Sequence, residues 1–163
     1  MAKVTRGIRN NNPGNIRRNG SNWKGLATLQ KDMRFCQFVS MKWGVRAIIY
    51  LLRKYVTNYR LNYVGKIISR WAPPEDGNNT TVYIKRCALR IGGYCSKTSK
   101  SDKEMTQAGL NYEFTADDFK LKDGFLSSDE LFALVAEICK VESGYNLTRG
   151  DFEEAMGVLY SLQ

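Results

Sequence analysis

Glu142 falls where an apolar helical stripe ends. Leu131, Leu134, Val135 and Ile138 recur at helical spacing, and the next step of four residues lands on this carboxylate. A glutamate in line with a buried face, at the end of a helix where the macrodipole disfavours negative charge, is pushed toward its protonated form. A carboxylic acid that keeps its proton near neutral pH can hand it to a leaving oxygen. The competing reading places Glu142 in a fraying last turn, pointing to water. Glu75 is the runner-up acid, on a loop after Pro73 and Pro74, where a solvated charge is the plain alternative.

The chain has no His. That excludes Ser-His-Asp and Cys-His catalysis and His-ligated metals, and no metal or other cofactor is expected. Cys36, Cys87, Cys95 and Cys139 form no CxxC pair, so buried free thiols are expected, with a Cys87–Cys95 bridge as the lesser alternative.

These groups must be positioned by a chain of 163 residues, 43% apolar and 25% charged, a length and composition that fit one compact domain over residues 1–163. Charge divides it unevenly. Residues 1–100 carry 20 Lys and Arg against 3 Asp and Glu, whereas residues 101–163 carry 5 against 13. A basic body attracts polyanions such as nucleic acid, anionic lipid and the acidic polymers of a bacterial wall. The N-terminus lacks the apolar run of a signal peptide, and no segment approaches the roughly 20 apolar residues of a membrane span. Synthesis in a cytoplasm is therefore expected, with action in the periplasm or cell wall, or carriage in a virion.

The first forty residues read as loop and strand. Asn10 to Asn15 is a dense turn signal around Pro13-Gly14, and Asn19-Gly20 is a hairpin dipeptide. Extended segments around 16–18, 23–29 and 33–39 predict a small antiparallel ribbon. Helices follow. Met41, Val45, Ile48, Leu52, Tyr55 and Tyr59 mark a long amphipathic one; Val64, Ile67, Ile68 and Trp71 a short one ending at Pro73. Asn78-Asn79-Thr80 offers N-caps for a third, which Gly92-Gly93 should end. Residues 94–114 are polar and aperiodic and predict a surface loop. Thr115 with Asp118, Ser127 with Glu130 and Asp151 with Glu154 are capping-box pairs for three further helices. The fold class expected is α+β, mostly α, with the ribbon at its N-terminus.

The segment Ala136 to Tyr145, with Glu142-Ser143-Gly144-Tyr145, resembles the catalytic helix of lytic transglycosylases and related lysozyme-like enzymes. A second stretch is similar to bacterial cell-wall glucosaminidases: Asn12-Pro13-Gly14-Asn15-Ile16, Trp23-Lys24-Gly25, Phe35, Phe38, Gly44, Tyr50 and Tyr55, continuing from Trp71 to Tyr83. The acid helix comes last here and first in that superfamily, so the resemblance implies a circularly permuted lysozyme-like domain whose C-terminal helix pair docks beside the N-terminal ribbon. The whole pattern also resembles small phage and prophage virion-associated proteins.

That resemblance implies peptidoglycan glycan-strand cleavage with a single glutamate. Glu142 would protonate the leaving oxygen and then, as carboxylate, take the proton of the sugar's own 6-hydroxyl as it attacks C1, giving a 1,6-anhydro product. Tyr83 would stabilise the oxocarbenium-like centre, and Asn15 with Tyr145 would contact sugar. From their own residue types, Trp23 is the best stacking platform, Trp43 and Trp71 read as core, and Arg6, Arg9, Arg17 and Arg18 could meet anionic peptide stems, phosphate or only solvent. A glycan-cleaving lytic enzyme acting on bacterial peptidoglycan is the leading reading. A non-catalytic virion structural or glycan-binding protein is the first alternative, with other virion or secretion components as further partners. A basic nucleic-acid-binding protein is the second, although no helix-turn-helix, RNA-recognition or zinc-finger signature is present.

Overall fold

The computed structural model describes residues 3–95, 100–122, 125–126 and 128–161. Helices dominate: α1 (Arg6–Arg9), α2 (Met41–Thr57), α3 (Val64–Trp71), α4 (Thr80–Cys95), α5 (Asp102–Asn111), α6 (Asp129–Ser143) and α7 (Arg149–Ser161), with short 3-10 turns at Pro74–Asp76 and Ala116–Phe119. Among the described residues the only strands are β1 (Leu121–Lys122) and β2 (Phe125–Leu126), paired antiparallel with Leu121 opposite Leu126. The fold is therefore helical rather than α+β, and the N-terminal ribbon does not form.

The reason lies in the side chains of that segment. The expected stretches do approach one another, but only as isolated antiparallel bridges, Arg17 with Phe35 and Leu26 with Phe38. The segment 34–39 runs between the other two: Arg18 N–H donates to Arg34 O (2.8 Å) and Cys36 N–H to Ile16 O (2.9 Å), while Ala27 N–H donates to Gln37 O (2.9 Å) and Val39 N–H to Gly25 O (2.8 Å). Elsewhere polar side chains take the bonds that a ladder would use. Asn12 Oδ1 accepts from Ile16 N–H while its Nδ2 donates to Ile16 O and Cys36 O, each at 2.9 Å. Gly25, at φ +81, bends the chain against Trp43, and a Cβ there would collide with the indole.

By its internal contacts the chain divides into two compact units, Met1–Tyr50 with Ile138–Gln163, and Leu51–Glu137, so α2 and α6 contribute residues to both. In the first unit, fully buried Val45, Ile48 and Ile49 of α2 and Phe152, Ala155 and Met156 of α7 supply the core. In the second, Leu52, Ile67, Ile68, Ile91, Phe114, Leu131 and Leu134 do so.

The polar segment 94–114 is not a loop throughout. Ser101 Oγ accepts from Glu104 N–H and starts α5, and α4 continues past Gly92-Gly93 to Cys95. Glycines explain both outcomes. A Cβ on Gly92 would strike the carbonyl of Met105, and one on Gly109 the carbonyl of Ala88, so α4 and α5 meet backbone to backbone. Gly92 is a packing residue here, not a helix stop.

Capping follows the same physics with altered residues. Asn79 caps α4 through Val82 N–H (3.2 Å), and the Thr115–Asp118 capping box is present on its 3-10 turn. Ser127 lies outside the described residues; Ser128 caps α6, accepting from Leu131 N–H at 3.0 Å. Thr148, rather than Asp151, caps α7 by accepting from Asp151 N–H at 3.1 Å. All four cysteines are free thiols. Cys87 and Cys95 are eight residues apart on α4, about 12 Å along the axis, too far to bridge.

Candidate functional site

The end of α6 is held by residues from the opposite end of the chain. Asn15 Nδ2 donates to Glu142 O (2.7 Å) and Thr5 Oγ1 donates to Ser143 O (2.7 Å), while the same Thr5 oxygen accepts from Ile8 N–H and caps α1. Ser143 Oγ lies 2.9 Å from Pro13 O and 3.0 Å from Cys139 O. These bonds satisfy the last carbonyls of α6, which a helix leaves without internal partners. Gly144, at φ +75, then turns the chain away.

Glu142 is half-buried at this junction, and the bond that ties it to Asn15 is through its main chain. Asn15 itself sits at φ +49, and its Oδ1 is buried without a hydrogen-bond partner among the described residues. A Cβ on Gly7 would press on both Asn15 Oδ1 and the Ser143 side chain, so α1 also packs closely against the junction.

Tyr145 is otherwise committed. Its hydroxyl donates to Asp151 Oδ2 at 2.5 Å, and burial with that bond raises its pKa further above the ordinary tyrosine value. Trp23 is half-buried and stands edge-on to Tyr50, with ring centroids 5.5 Å apart at 89°. Its indole N–H is buried with no acceptor among the described residues, while Tyr50 is 37% exposed with the buried Arg46 guanidinium 5.5 Å from its ring. Arg17 is exposed, 5.9 Å from the ring of Phe35.

The remaining predicted residues lie in the second unit. Tyr83 is 5% exposed on α4, a core position, and Glu75 is exposed in the turn Pro74–Asp76. The structure thus brings Asn15 to Glu142 and Trp23 to Tyr50. Among the described residues no group of three or more Cys, Asp and Glu is arranged to hold a metal ion.

Two acidic residues carry more of the local structure than their sequence context suggests. Asp32 accepts from Arg6 Nε (2.6 Å) and Nη2 (2.7 Å), Asn10 Nδ2 (2.9 Å), Arg34 N–H (2.9 Å) and Phe35 N–H (3.0 Å). The Arg6 guanidinium, helped by these other donors, holds its carboxyl well below the usual carboxylate range. The Asp-x-Arg-Phe spacing is a legible side-chain turn; Arg6, 26 residues earlier, gives no sequence signal. Glu137, buried on α6, accepts from Arg86 Nε and Arg90 Nη1, each at 3.0 Å. The spacing of Arg86 and Arg90 places two cations on one face of α4, which is the signal that a carboxylate partner was due.

No family model matches the chain. It is 40% identical over 93 residues to Protein P5 of Pseudoalteromonas phage PM2, a match covering 55% of this chain and 58% of that protein. The chain thus spans less than two thirds of the curated relative it matches. This likeness supports a phage-associated origin.

Proposed function

We propose that the chain is a phage-derived, virion-associated protein that binds cell-wall glycan without cleaving it. The observation that carries this reading is the Trp23–Tyr50 pair, an edge-on aromatic couple whose Tyr50 is 37% exposed. Aromatic rings offer sugars a flat apolar face, and the basic residues of the first hundred positions suit the anionic peptide stems of peptidoglycan. Buried polar groups without partners collect at functional sites, and Trp23 contributes one. The likeness to a phage protein adds to the reading. Delivery in a virion would bring such a protein to the wall.

Co-sedimentation with purified peptidoglycan tests it. Wild type should pellet with the wall and release no soluble muropeptides, and Trp23→Ala should lose about tenfold in affinity, the scale of one aromatic anchor. Unchanged binding by Trp23→Ala removes the platform.

A second reading, lytic cleavage, is favoured by one feature: the Asn15 bond that fixes the backbone of Glu142. In it the Glu142 carboxyl protonates the glycosidic oxygen as the C1–O bond breaks, then accepts the proton of the 6-hydroxyl that attacks C1. Anhydro-muropeptides released by wild type and not by Glu142→Gln would replace the binding reading with this one.

A further inference from the structure

The loop 29–34 alternates inward polar and outward apolar or cationic residues. Gln30 and Asp32 face the protein. Gln30 Nε2 donates to Ala27 O (2.8 Å) and Gln37 O (2.7 Å), Gln30 Oε1 accepts from Gln37 N–H (2.8 Å), and Gln37 Oε1 accepts from the N–H groups of Lys31 and Asp32. Asp32 is closed by its five donors. The other four residues face out: Leu29 is 66% and Met33 82% exposed, and Lys31 and Arg34 are exposed beside them. The loop is therefore pinned from within while its aliphatic tips are held in water.

We infer that this loop docks the protein on an anionic lipid surface, with Leu29 and Met33 entering the boundary between headgroups and acyl chains and Lys31 and Arg34 meeting lipid phosphates. Two observations select this occupant. Asp32 is the sole carboxylate among residues 1–74, and Arg6 neutralises it, so the loop presents positive charge to the outside. Arg34 and the exposed Arg17 also stand 5.7 Å and 5.9 Å from the Phe35 ring, extending the cationic surround. A nucleic acid or a wall polymer would use these cations and leave the aliphatic tips idle. A lipid interface uses both, since apolar side chains and basic residues bind such surfaces together. Among the described residues no helix is long and apolar enough to cross a membrane, so the contact is a surface one. The inference is independent of the glycan reading, which rests on Trp23 and Tyr50.

Vesicle flotation tests it, with phosphatidylcholine alone and with added phosphatidylglycerol. Wild type should float with the anionic vesicles and not with the neutral ones. Leu29→Ser/Met33→Ser, at exposed positions and checked for an unchanged thermal melt, should lose about tenfold in partitioning. Lys31→Gln/Arg34→Gln should lose a comparable factor, and more salt should weaken wild-type binding. Binding to peptidoglycan by the Leu29→Ser/Met33→Ser protein should stay at the wild-type level, which keeps the two readings apart. The inference is overturned if wild type ignores anionic vesicles, or if the aliphatic double variant floats as well as wild type; undiminished flotation of that variant, abolished by competing DNA, would assign the cations to nucleic acid.

Discussion

The N-terminal segment and the α4–α5 pair reach order by opposite means. Residues 5–40 hold their shape with side-chain hydrogen bonds to the backbone, centred on Asn12, Gln30, Asp32 and Gln37. The α4–α5 pair holds its shape by deleting side chains at Gly92 and Gly109 so that two backbones touch. The first is specified by polar groups that need partners, the second by volume. A polar network responds to charge and pH, whereas a close-packed glycine contact responds to a single added methyl.

The largest expected effect is therefore Gly109→Val. Its side chain would have to occupy the space of the Ala88 carbonyl, which cannot yield without separating α4 from α5. Overpacking of this kind costs about 3 kcal/mol or more, and urea denaturation should show the midpoint fall accordingly. Gly93→Ala is the control, because among the described residues a Cβ there meets nothing within 4 Å and a helical position favours alanine. If both substitutions behave alike, the glycine contact is not what holds α4 to α5.

Asp32→Asn sharpens the polar half of the comparison. It weakens the ion pair to Arg6 and alters an acceptor shared by four groups, so stability falls at neutral pH by less than for Gly109→Val. The sign of its pH dependence follows from the lowered carboxyl pKa. The contribution is present in full above the unfolded aspartate value of about 3.9 and is lost as pH falls toward the folded value. Denaturation at neutral pH and in the acid range should show the gap between wild type and Asp32→Asn constant down to about pH 4, then closing. A gap that widens on acidification would mean that Asp32 is not held ionised.

The same contrast explains what the sequence made legible. The periodicity of α2, α3 and α6 is carried by branched and aromatic residues at helical spacing, and those helices lie where the pattern places them. The N-terminal segment departs from the expected ribbon because extended φ/ψ and turn signals do not say whether the bonds go to another strand or to a side chain. Residues 94–114 depart from the expected loop because α5 presents a polar surface on most of its turn, and its anchoring face is marked by a glycine, which reads as a break. For the candidate site, Trp23 and Asn15 were legible by type. Tyr50 was legible only as a member of the glucosaminidase-like stretch, and Arg6 with Asp32 not at all, since nothing local pairs positions 26 residues apart.

The smallest effect, and the one nearest to Glu142, comes from Asn15. Its amide bond to the Glu142 carbonyl joins the N-terminal network to the last turn of α6, and its φ of +49 is a conformation that asparagine tolerates better than alanine. Asn15→Ala loses the bond and adds backbone strain; Asn15→Gly loses the bond and relieves the strain. If the hydrogen bond matters most, both should lose about 1 kcal/mol, with alanine slightly the worse. If the backbone conformation matters most, glycine should match wild type and alanine alone should fall. Hydrogen exchange at Gly144 N–H, which donates to Lys140 O at 3.0 Å in that last turn, separates the cases further. Faster exchange in both variants would show that α6 ends where it does because a side chain from the other end of the chain holds it, which is the condition for Glu142 to occupy one defined position.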